Sequence, residues 1–332
     1  MLKRIVFKHG PAPDQPALKL DLSPITILVG PNNAGKSRAL VEIEHYCREG
    51  EGRPDRLVLD NVHYETMDHL AIDAEIRAIE VRPPLHNDDP DWRTVAKIRP
   101  QNNQHVQIKL NIDRITSELS TEDGQKPDYA FFLDLFTLNL DGGSRLRLAG
   151  DQQAGDLQQP QNLLASLFVN NQLRSELRRI VFDATSRYIV IDPTKLGTLR
   201  LGLSRRPPVD EAEERGIDSR AVQFHREAMP IESASDGIRA FVGIMMTVLA
   251  GDPRIILVDE PEAFLHPALA AKLGLEIARA LSDSRKRLIV ASRRLWRSSV
   301  PQMKRTDDMP NPYASRVSFA AAIRSGSSAS PR

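Results

Sequence analysis

Two glycines, a lysine and a serine at fixed spacing are the first residues in the sequence that could do chemistry. Gly30, Gly35, Lys36 and Ser37 match the pattern G-x-x-x-x-G-K-[ST] without deviation. Glycines let backbone N–H groups turn toward the oxygens of an anion, the lysine supplies positive charge, and the serine hydroxyl can ligate Mg²⁺. The pattern therefore predicts a loop that binds the β- and γ-phosphates of a nucleotide.

The segments on either side of this loop have the character that phosphate binding requires. Residues 25–29 form a continuous apolar, β-branched run, which predicts a strand buried on both faces, and a helix is predicted to begin near Lys36. The N-terminal dipole of that helix would point at the bound anion. We expect Asn32, Asn33 and Arg38, which lie in or beside the loop, to contribute to nucleotide binding.

A pair of acids is the second candidate group. Asp259 and Glu260 directly follow the apolar run "RIILV". Open α/β sheets place their ligands at the carboxyl ends of such strands. We expect Asp259 to hold Mg²⁺, directly or through water, and Glu260 to orient or deprotonate the attacking water. The alternative is a solvated acidic turn, which the nearby phosphate loop disfavours.

Composition limits the other classes of function. The chain has 332 residues, a formal net charge of +1 and 41% hydrophobic residues, so no global charge draws it to nucleic acid or membrane. Cys47 is the single cysteine, which excludes an intramolecular disulfide and a CxxC zinc site. The start carries no apolar stretch that suits a signal peptide, and the longest apolar run, residues 241–251, is too short to span a bilayer. We expect a cytoplasmic protein.

Changes in patterning along the chain predict four regions. The first, 1–115, carries the phosphate loop, and the third, 231–292, carries the acidic strand. Between them, 116–230 contains Gly- and Gln-rich and charged, proline-broken stretches, and is predicted to be an inserted helical lobe with loops. After Ser292 the periodicity is lost, and 293–332 is predicted to be a poorly ordered tail.

The phosphate loop "GPNNAGKS" together with "ILVDEPEAFLHP" resembles the ABC-type P-loop ATPases, in particular the SMC-like, RecF-like and OLD-like branch. The resemblance covers about residues 1–45 and 230–292. It implies an α/β fold of the P-loop NTPase class, with an ABC-ATPase-like mixed sheet, flanking helices and an inserted helical lobe. It also implies ATP and Mg²⁺ as cofactors, with Lys36 and Glu260 serving catalysis and Ser37 and Asp259 holding the metal.

The resemblance further implies a signature loop shortly before the acidic strand. "ESASDGIRAFVGIMM", residues 232–246, fits it, because Ser235, Asp236 and Gly237 correspond to its S-x-G core. In the family this loop contacts the γ-phosphate bound by a second subunit, so Ser235 and Gly237 are expected to bind nucleotide across an ATP-dependent homodimer. The alternative is that Ser235 only caps a core helix.

Two features depart from the family pattern. The family usually has a switch histidine after the last core strand, where this chain has Arg293 and Arg294, and no histidine follows His266. Either the chain is a natural variant with weak hydrolysis, or the reading frame is altered near residue 292 and the tail is unrelated. The family also uses a glutamine to sense Mg²⁺ and water; Gln101, Gln104 and Gln107 are candidates that the sequence does not separate.

The residues around the site do not identify a binding partner. His266 in "FLHP" is expected to be a helix-start or interface group rather than a catalyst. Residues 285–305 hold eight Lys or Arg and no acid, which could contact a phosphate backbone or form a solvated or misread tail. The 40 residues after Ser292 lack a clustered Glu/Asp set and are not expected to build a nuclease domain, but a separate effector protein could supply such an activity.

These observations predict an ATP-binding and ATP-hydrolysing head that dimerises around nucleotide, in DNA repair or phage defence. The alternative is an ATP-gated interaction module with negligible turnover that acts with a separate effector such as a nuclease.

Overall fold

The structure is a computed structural model that describes residues 1–10, 15–81, 91–141, 144–261, 265–280 and 286–292, and the backbone of 317–320. Its strands are β1 (Leu2–Phe7), β2 (Lys19–Asp21), β3 (Ile25–Val29), β4 (Leu59–Tyr64), β5 (Trp92–Arg99), β6 (Gln104–Asn111), β7 (Thr137–Leu140), β8 (Gln152–Gln153), β9 (Tyr188–Asp192), β10 (Thr198–Ser204), β11 (Met229–Pro230), β12 (Ile255–Asp259), β13 (Arg287–Ser292) and β14 (Val317–Ala320). Its helices are α1 (Lys36–Glu49), α2 (His69–Arg77), α3 (Ile112–Leu119), α4 (Pro127–Asp134), α5 (Ser144–Arg147), α6 (Leu163–Val169), α7 (Asn171–Thr185), α8 (Glu211–Arg215), α9 (Ser219–Glu227), α10 (Asp236–Ala250) and α11 (Pro267–Ala280).

A five-stranded parallel sheet in the order β14-β3-β13-β12-β7 lies at the centre of the described structure. In its register Val29 of β3 pairs with Ser292 of β13, and Ala291 pairs with Asp259 of β12. The carboxyl ends of β3, β13 and β12 therefore lie at the same level, with β13 in the middle. Since neighbouring strands are about 4.8 Å apart, the segments that follow β3 and β12 begin about 10 Å from each other.

Both faces of β3, β12 and β13 are buried, which explains why these strands consist mainly of apolar residues. On one face Ile256 and Val258 of β12 join a core formed with α6, α7, α10 and α11. On the other face Ile255 and Leu257 join a core formed with α1, α3, α4, β1 and β4. Successive side chains of a strand point to opposite faces, so the four residues of β12 before Asp259 all need apolar side chains. The predicted α/β fold class is confirmed.

The antiparallel strands form separate sheets. One sheet has the order β2-β1-β4, β5 and β6 form a hairpin, and β10 pairs with β8, β9 and β11. The predicted mixture of parallel and antiparallel strands is thus spread over several sheets around the parallel one.

The division of the chain at residues 115 and 230 stays a prediction. Within 116–230, β7 pairs with β12 and lies in the central sheet, while β9 and β10 form their own antiparallel pair. Most of the predicted tail, 293–332, lies outside the described residues, and the part that is described, β14, pairs with β3.

Cys47 lies in the core between α1 and its neighbours and is fully buried. Burial away from water raises the pKa of its thiol to about 12. The thiolate is the reactive form of cysteine, so Cys47 is a packing residue. Among the described helices, none has the length and apolar character that crossing a bilayer requires.

Candidate functional site

The loop between β3 and α1 has the backbone turns that its glycines predict. Asn33 and Gly35 have φ angles of 62° and 82°, in the left-handed region that favours Asn and Gly. A Cβ on Gly35 would also lie 3.0 Å from the side chain of Val58. Gly35 is therefore required both for its backbone conformation and for the close approach of Val58. Asn32 and Asn33 are exposed at the turn.

Lys36 is the buried cation of this loop. Its side chain is only 5% exposed, and its ammonium donates to the carbonyl oxygens of Gly30 and Pro31 at 2.8 and 2.7 Å. Both acceptors belong to the loop, so the positive charge is held within it. Phosphate oxygens would be stronger partners than these neutral carbonyls, because their negative charge attracts the ammonium directly.

Ser37 and Asp259 meet across the central sheet, although 222 residues separate them. The hydroxyl of Ser37 donates to Asp259 Oδ1 at 3.0 Å. Hard oxygen ligands of this kind, one hydroxyl and one carboxylate, suit Mg²⁺, which also keeps waters and phosphate oxygens. The described residues contain no group of three or more His, Cys, Asp or Glu that could hold a metal alone, so phosphate would have to complete this donor set.

Glu260 occupies a tight turn at the end of β12. Its φ of 45° lies in the left-handed region, which costs a non-glycine residue about 1 kcal/mol. Its backbone N–H donates to the carbonyl of Ala291 on β13 at 2.8 Å. Arg145 donates to the carbonyls of both Asp259 and Glu260, with 3.2 Å to the latter. The acid predicted to act on water is thus held in an unusual backbone conformation by its neighbours.

Arg38 follows Ser37, but its guanidinium lies along the flank of α1. Its Nε donates to Glu42 Oε1 at 2.8 Å, and its Nη2 lies near Asp55. The predicted nucleotide contact of Arg38 is not tested by this arrangement and stays a prediction.

Glu42 anchors the segment that carries Val58. Its carboxylate, only 5% exposed, accepts from the backbone N–H groups of Leu57, Val58 and Leu59 and from Arg38. Burial would raise the pKa of Glu42, but these hydrogen bonds outweigh it and hold the pKa below its usual value. Glu42 thereby keeps Val58 against Gly35.

Replacing Glu42 by Gln is expected to make the protein less stable at neutral pH, by about 1–3 kcal/mol, because an amide NH₂ would face N–H donors. The lowered folded pKa of Glu42 means that its ionisation stabilises the fold above the ordinary glutamate pKa. This contribution is lost as pH falls through the folded value. Urea unfolding followed by circular dichroism should show the difference from wild type narrowing in acid. Glu49→Gln, exposed on the same helix, is the control; a constant difference at all pH values would refute the assignment.

Ser235 caps the long helix α10. Its Oγ accepts from the N–H of Ile238 at 3.5 Å, and Ser235 itself is exposed, with Gly237 half-buried in the first turn. The capping role is therefore present. The predicted contact of Ser235 and Gly237 with the nucleotide of a second subunit stays a prediction.

The three candidate glutamines occupy different places. Gln101 Oε1 accepts from the backbone N–H of Asn139 on β7 at 2.5 Å, so its side chain contacts the central sheet. Gln104 and Gln107 lie exposed on β6. Gln101 thus contacts the central sheet, and the sensing of Mg²⁺ and water by one of these glutamines stays a prediction.

His266 lies at the start of α11, where its carbonyl accepts from Leu269 and Ala270, and its Nδ1 lies 3.4 Å from the N–H of Ala268. These contacts agree with the predicted place of His266 at the start of a helix. Arg293 and Arg294 lie outside the described residues, as does most of the basic segment 285–305.

Sequence reasoning missed two residues of the site, Arg145 and Glu42. Arg145 is 1% exposed yet lies in a polar, Gly-rich stretch with no periodicity. Glu42 is one acid among several on α1. No local signal distinguishes either residue, because their partners are distant in sequence or are backbone groups.

Comparison with known proteins places these features in a family. The family model described as "AAA domain, putative AbiEii toxin, Type IV TA system" matches residues 25–292. A search of curated proteins finds no significant match.

Several solved structures are similar in fold. An SMC head bound to the C-terminal winged-helix domain of ScpA is 12% identical, with a TM-score of 0.47, and the match covers 90% of this chain and 91% of that one. The SMC head domain from Thermotoga maritima is 11% identical, with a TM-score of 0.41 and coverage of 90% and 91%. The ADP conformation of MJ1267, an ATP-binding cassette of an ABC transporter, is 13% identical, with a TM-score of 0.34 and coverage of 89% and 81%.

The family model includes the phosphate loop, the helix that begins after Ser235 and the acidic strand. It ends at Ser292, the last residue of β13. The chain therefore belongs to this AAA-domain family.

Proposed function

We propose that the chain binds ATP with Mg²⁺ and hydrolyses it. The observation that supports this most strongly is the 3.0 Å contact between Ser37 Oγ and Asp259 Oδ1. It brings together two predicted metal ligands that are 222 residues apart in the sequence. Chance similarity to the phosphate-loop pattern would not account for a carboxylate at this position.

Each residue of the site has its own role in phosphoryl transfer, a reaction that depends mostly on positioning and charge neutralisation. Lys36 neutralises charge on the β- and γ-phosphates, and the amides of the loop and the start of α1 bind their oxygens. Ser37 and Asp259 hold Mg²⁺, which supplies further charge neutralisation when it is bound. Glu260 orients the attacking water and accepts its proton.

We further propose that two copies of the chain enclose two nucleotides. Each copy would offer its phosphate loop to one nucleotide and the exposed start of α10, with Ser235 and Gly237, to the other. A hydroxyl, free N–H groups and the helix dipole suit the γ-phosphate of the neighbouring nucleotide. Hydrolysis would then release the dimer, so that nucleotide state sets conformation.

The test is a phosphate-release assay combined with size-exclusion chromatography in ATP and Mg²⁺. Wild type should turn over ATP, and its dimer should appear with ATP and vanish after hydrolysis. Turnover that equals that of Glu260→Gln would refute hydrolysis. A monomer under all nucleotide conditions would refute the dimer.

A second candidate function is an ATP-gated interaction module with negligible turnover. The absence of a histidine after His266 favours it, because the family's switch histidine would follow β13, whose end lies between the phosphate loop and the acidic turn. Intact ATP binding without phosphate release would support it over the first proposal.

For either function, we propose that the chain acts in DNA repair or phage defence, in the cytoplasm. The family description, which mentions a toxin of a type IV toxin–antitoxin system, supports action beside a partner. Nucleic acid or an effector protein such as a nuclease would be that partner.

A further inference from the structure

Arg145 is a buried cation whose described hydrogen bonds go to the backbone of the acidic turn. Its side chain is 1% exposed, one of the largest fully buried side chains in the described structure. Its guanidinium donates to the carbonyl of Asp259 through Nη2 and to the carbonyl of Glu260 through Nη1. One planar group therefore bridges two successive peptide units, which a lysine ammonium could not do with the same geometry.

These two peptide units set the direction in which the side chain of Glu260 leaves the backbone. Glu260 has a φ of 45°, a conformation that a non-glycine residue keeps only when its surroundings enforce it. The N–H of Glu260 is fixed on Ala291, and the carbonyls before and after Glu260 Cα are fixed on Arg145. The three contacts together hold the backbone of Glu260 in this conformation.

Helix α5, which carries Arg145, is itself fixed in place. At its start the N–H of Ser144 donates to Asp141 Oδ1 at 2.7 Å. Along its length it packs against α10, where a Cβ on Gly243 would lie 2.7 Å from Leu148 Cβ and 3.1 Å from the carbonyl oxygen of Arg145. This close approach, which only glycine permits, leaves α5 little freedom to shift.

We infer that Arg145 is a positioning residue for ATP hydrolysis, which holds the turn Asp259–Glu260 so that the Glu260 carboxylate faces the attacking water. The inference rests on the proposed hydrolytic function. The hydrogen bonds described for Arg145 lie on the backbone of Asp259 and Glu260, so we expect it to act through Glu260, affecting turnover and leaving nucleotide affinity nearly unchanged.

The test compares turnover with affinity in Arg145→Met. We expect kcat to fall about 10- to 100-fold, since a displacement of about 1 Å at a reacting group can cost that much. The Kd for mant-ATP with Mg²⁺ should stay within about 2-fold of wild type. Arg147→Met is the matched control, because Arg147 is exposed on the same helix; it should leave both quantities unchanged.

Arg145→Lys keeps the test decisive if the Met variant fails to fold. A lysine keeps the charge and can reach one carbonyl, so a thermal melt near that of wild type with a several-fold lower kcat is expected. In the Glu260→Gln background, Arg145→Lys should cause no further loss, because two residues that act through one group are not additive.

Three results would overturn the inference. Wild-type kcat in both Arg145 variants would do so, as would a multiplicative loss in the double variant. A parallel loss of affinity and kcat would indicate a purely structural role. If wild type itself releases no phosphate, both the proposed hydrolysis and this inference are wrong. If wild type releases phosphate and the variants give one of the three results above, only the inference is wrong.

Discussion

Lys36→Ala is expected to abolish ATP binding, with mant-ATP affinity at least about 100-fold weaker than in wild type. The ammonium of Lys36 is nearly buried and held inside the loop by the carbonyls of Gly30 and Pro31. Charge-assisted hydrogen bonds contribute about 1.5–3 kcal/mol each, and every 1.4 kcal/mol is a tenfold change in Kd. Losing two such bonds to phosphate should therefore raise the Kd for mant-ATP by two or more factors of ten.

The control for this result is Lys109→Ala, which removes an exposed lysine from β6. Its affinity for mant-ATP should equal that of wild type. Circular dichroism should show that both variants are folded, because Lys36 makes its hydrogen bonds within the loop. Unchanged affinity in a folded Lys36→Ala variant would contradict the assignment of the phosphate loop.

Glu260→Gln is expected to lower kcat about 10²- to 10⁴-fold while ATP affinity stays near that of wild type. A positioned general base contributes a rate factor of this size, and the amide has nearly the same shape without the basicity. The backbone contacts of Glu260 with Ala291 and Arg145 do not involve its carboxylate, so the turn should persist. With binding intact and hydrolysis blocked, the ATP-bound dimer should accumulate on size-exclusion chromatography.

Glu227→Gln, exposed on α9, is the matched control and should turn over ATP like wild type without a trapped dimer. Two outcomes for Glu260→Gln would be inconsistent with its role as base. One is wild-type turnover. The other is loss of ATP binding, which would make Glu260 a ligand of the nucleotide.

Three strands of the central sheet could be predicted because their buried environment requires apolar residues, which are visible in the sequence. β3, β12 and β13 are buried on both faces, so each is a continuous apolar run that stands out from its surroundings. β7 has only four residues and lies within the interval 116–230, which was predicted as a lobe. Its place beside β12 depends on long-range pairing, to which a four-residue run gives no clue.

The candidate site could be predicted where function imposes a fixed local spacing. The phosphate loop has that property, and the acid pair follows a recognisable strand. Arg145 reaches its acceptors across 114 and 115 residues, and sequence carries no spacing rule for such a contact. The contact of Gln101 with Asn139 on β7 is likewise a long-range contact that no local spacing predicts.

The most direct measurement of the central claim is a titration of Mn²⁺ into ATP-saturated protein, followed by electron paramagnetic resonance, in wild type and in Asp259→Asn. We expect Ser37 and Asp259, whose Oγ and Oδ1 atoms lie 3.0 Å apart, to bind one divalent cation together with the triphosphate. Asparagine keeps the shape of Asp259 and loses its charge, so Mn²⁺ affinity should fall about tenfold or more. Equal Mn²⁺ affinity in the two proteins would contradict the account.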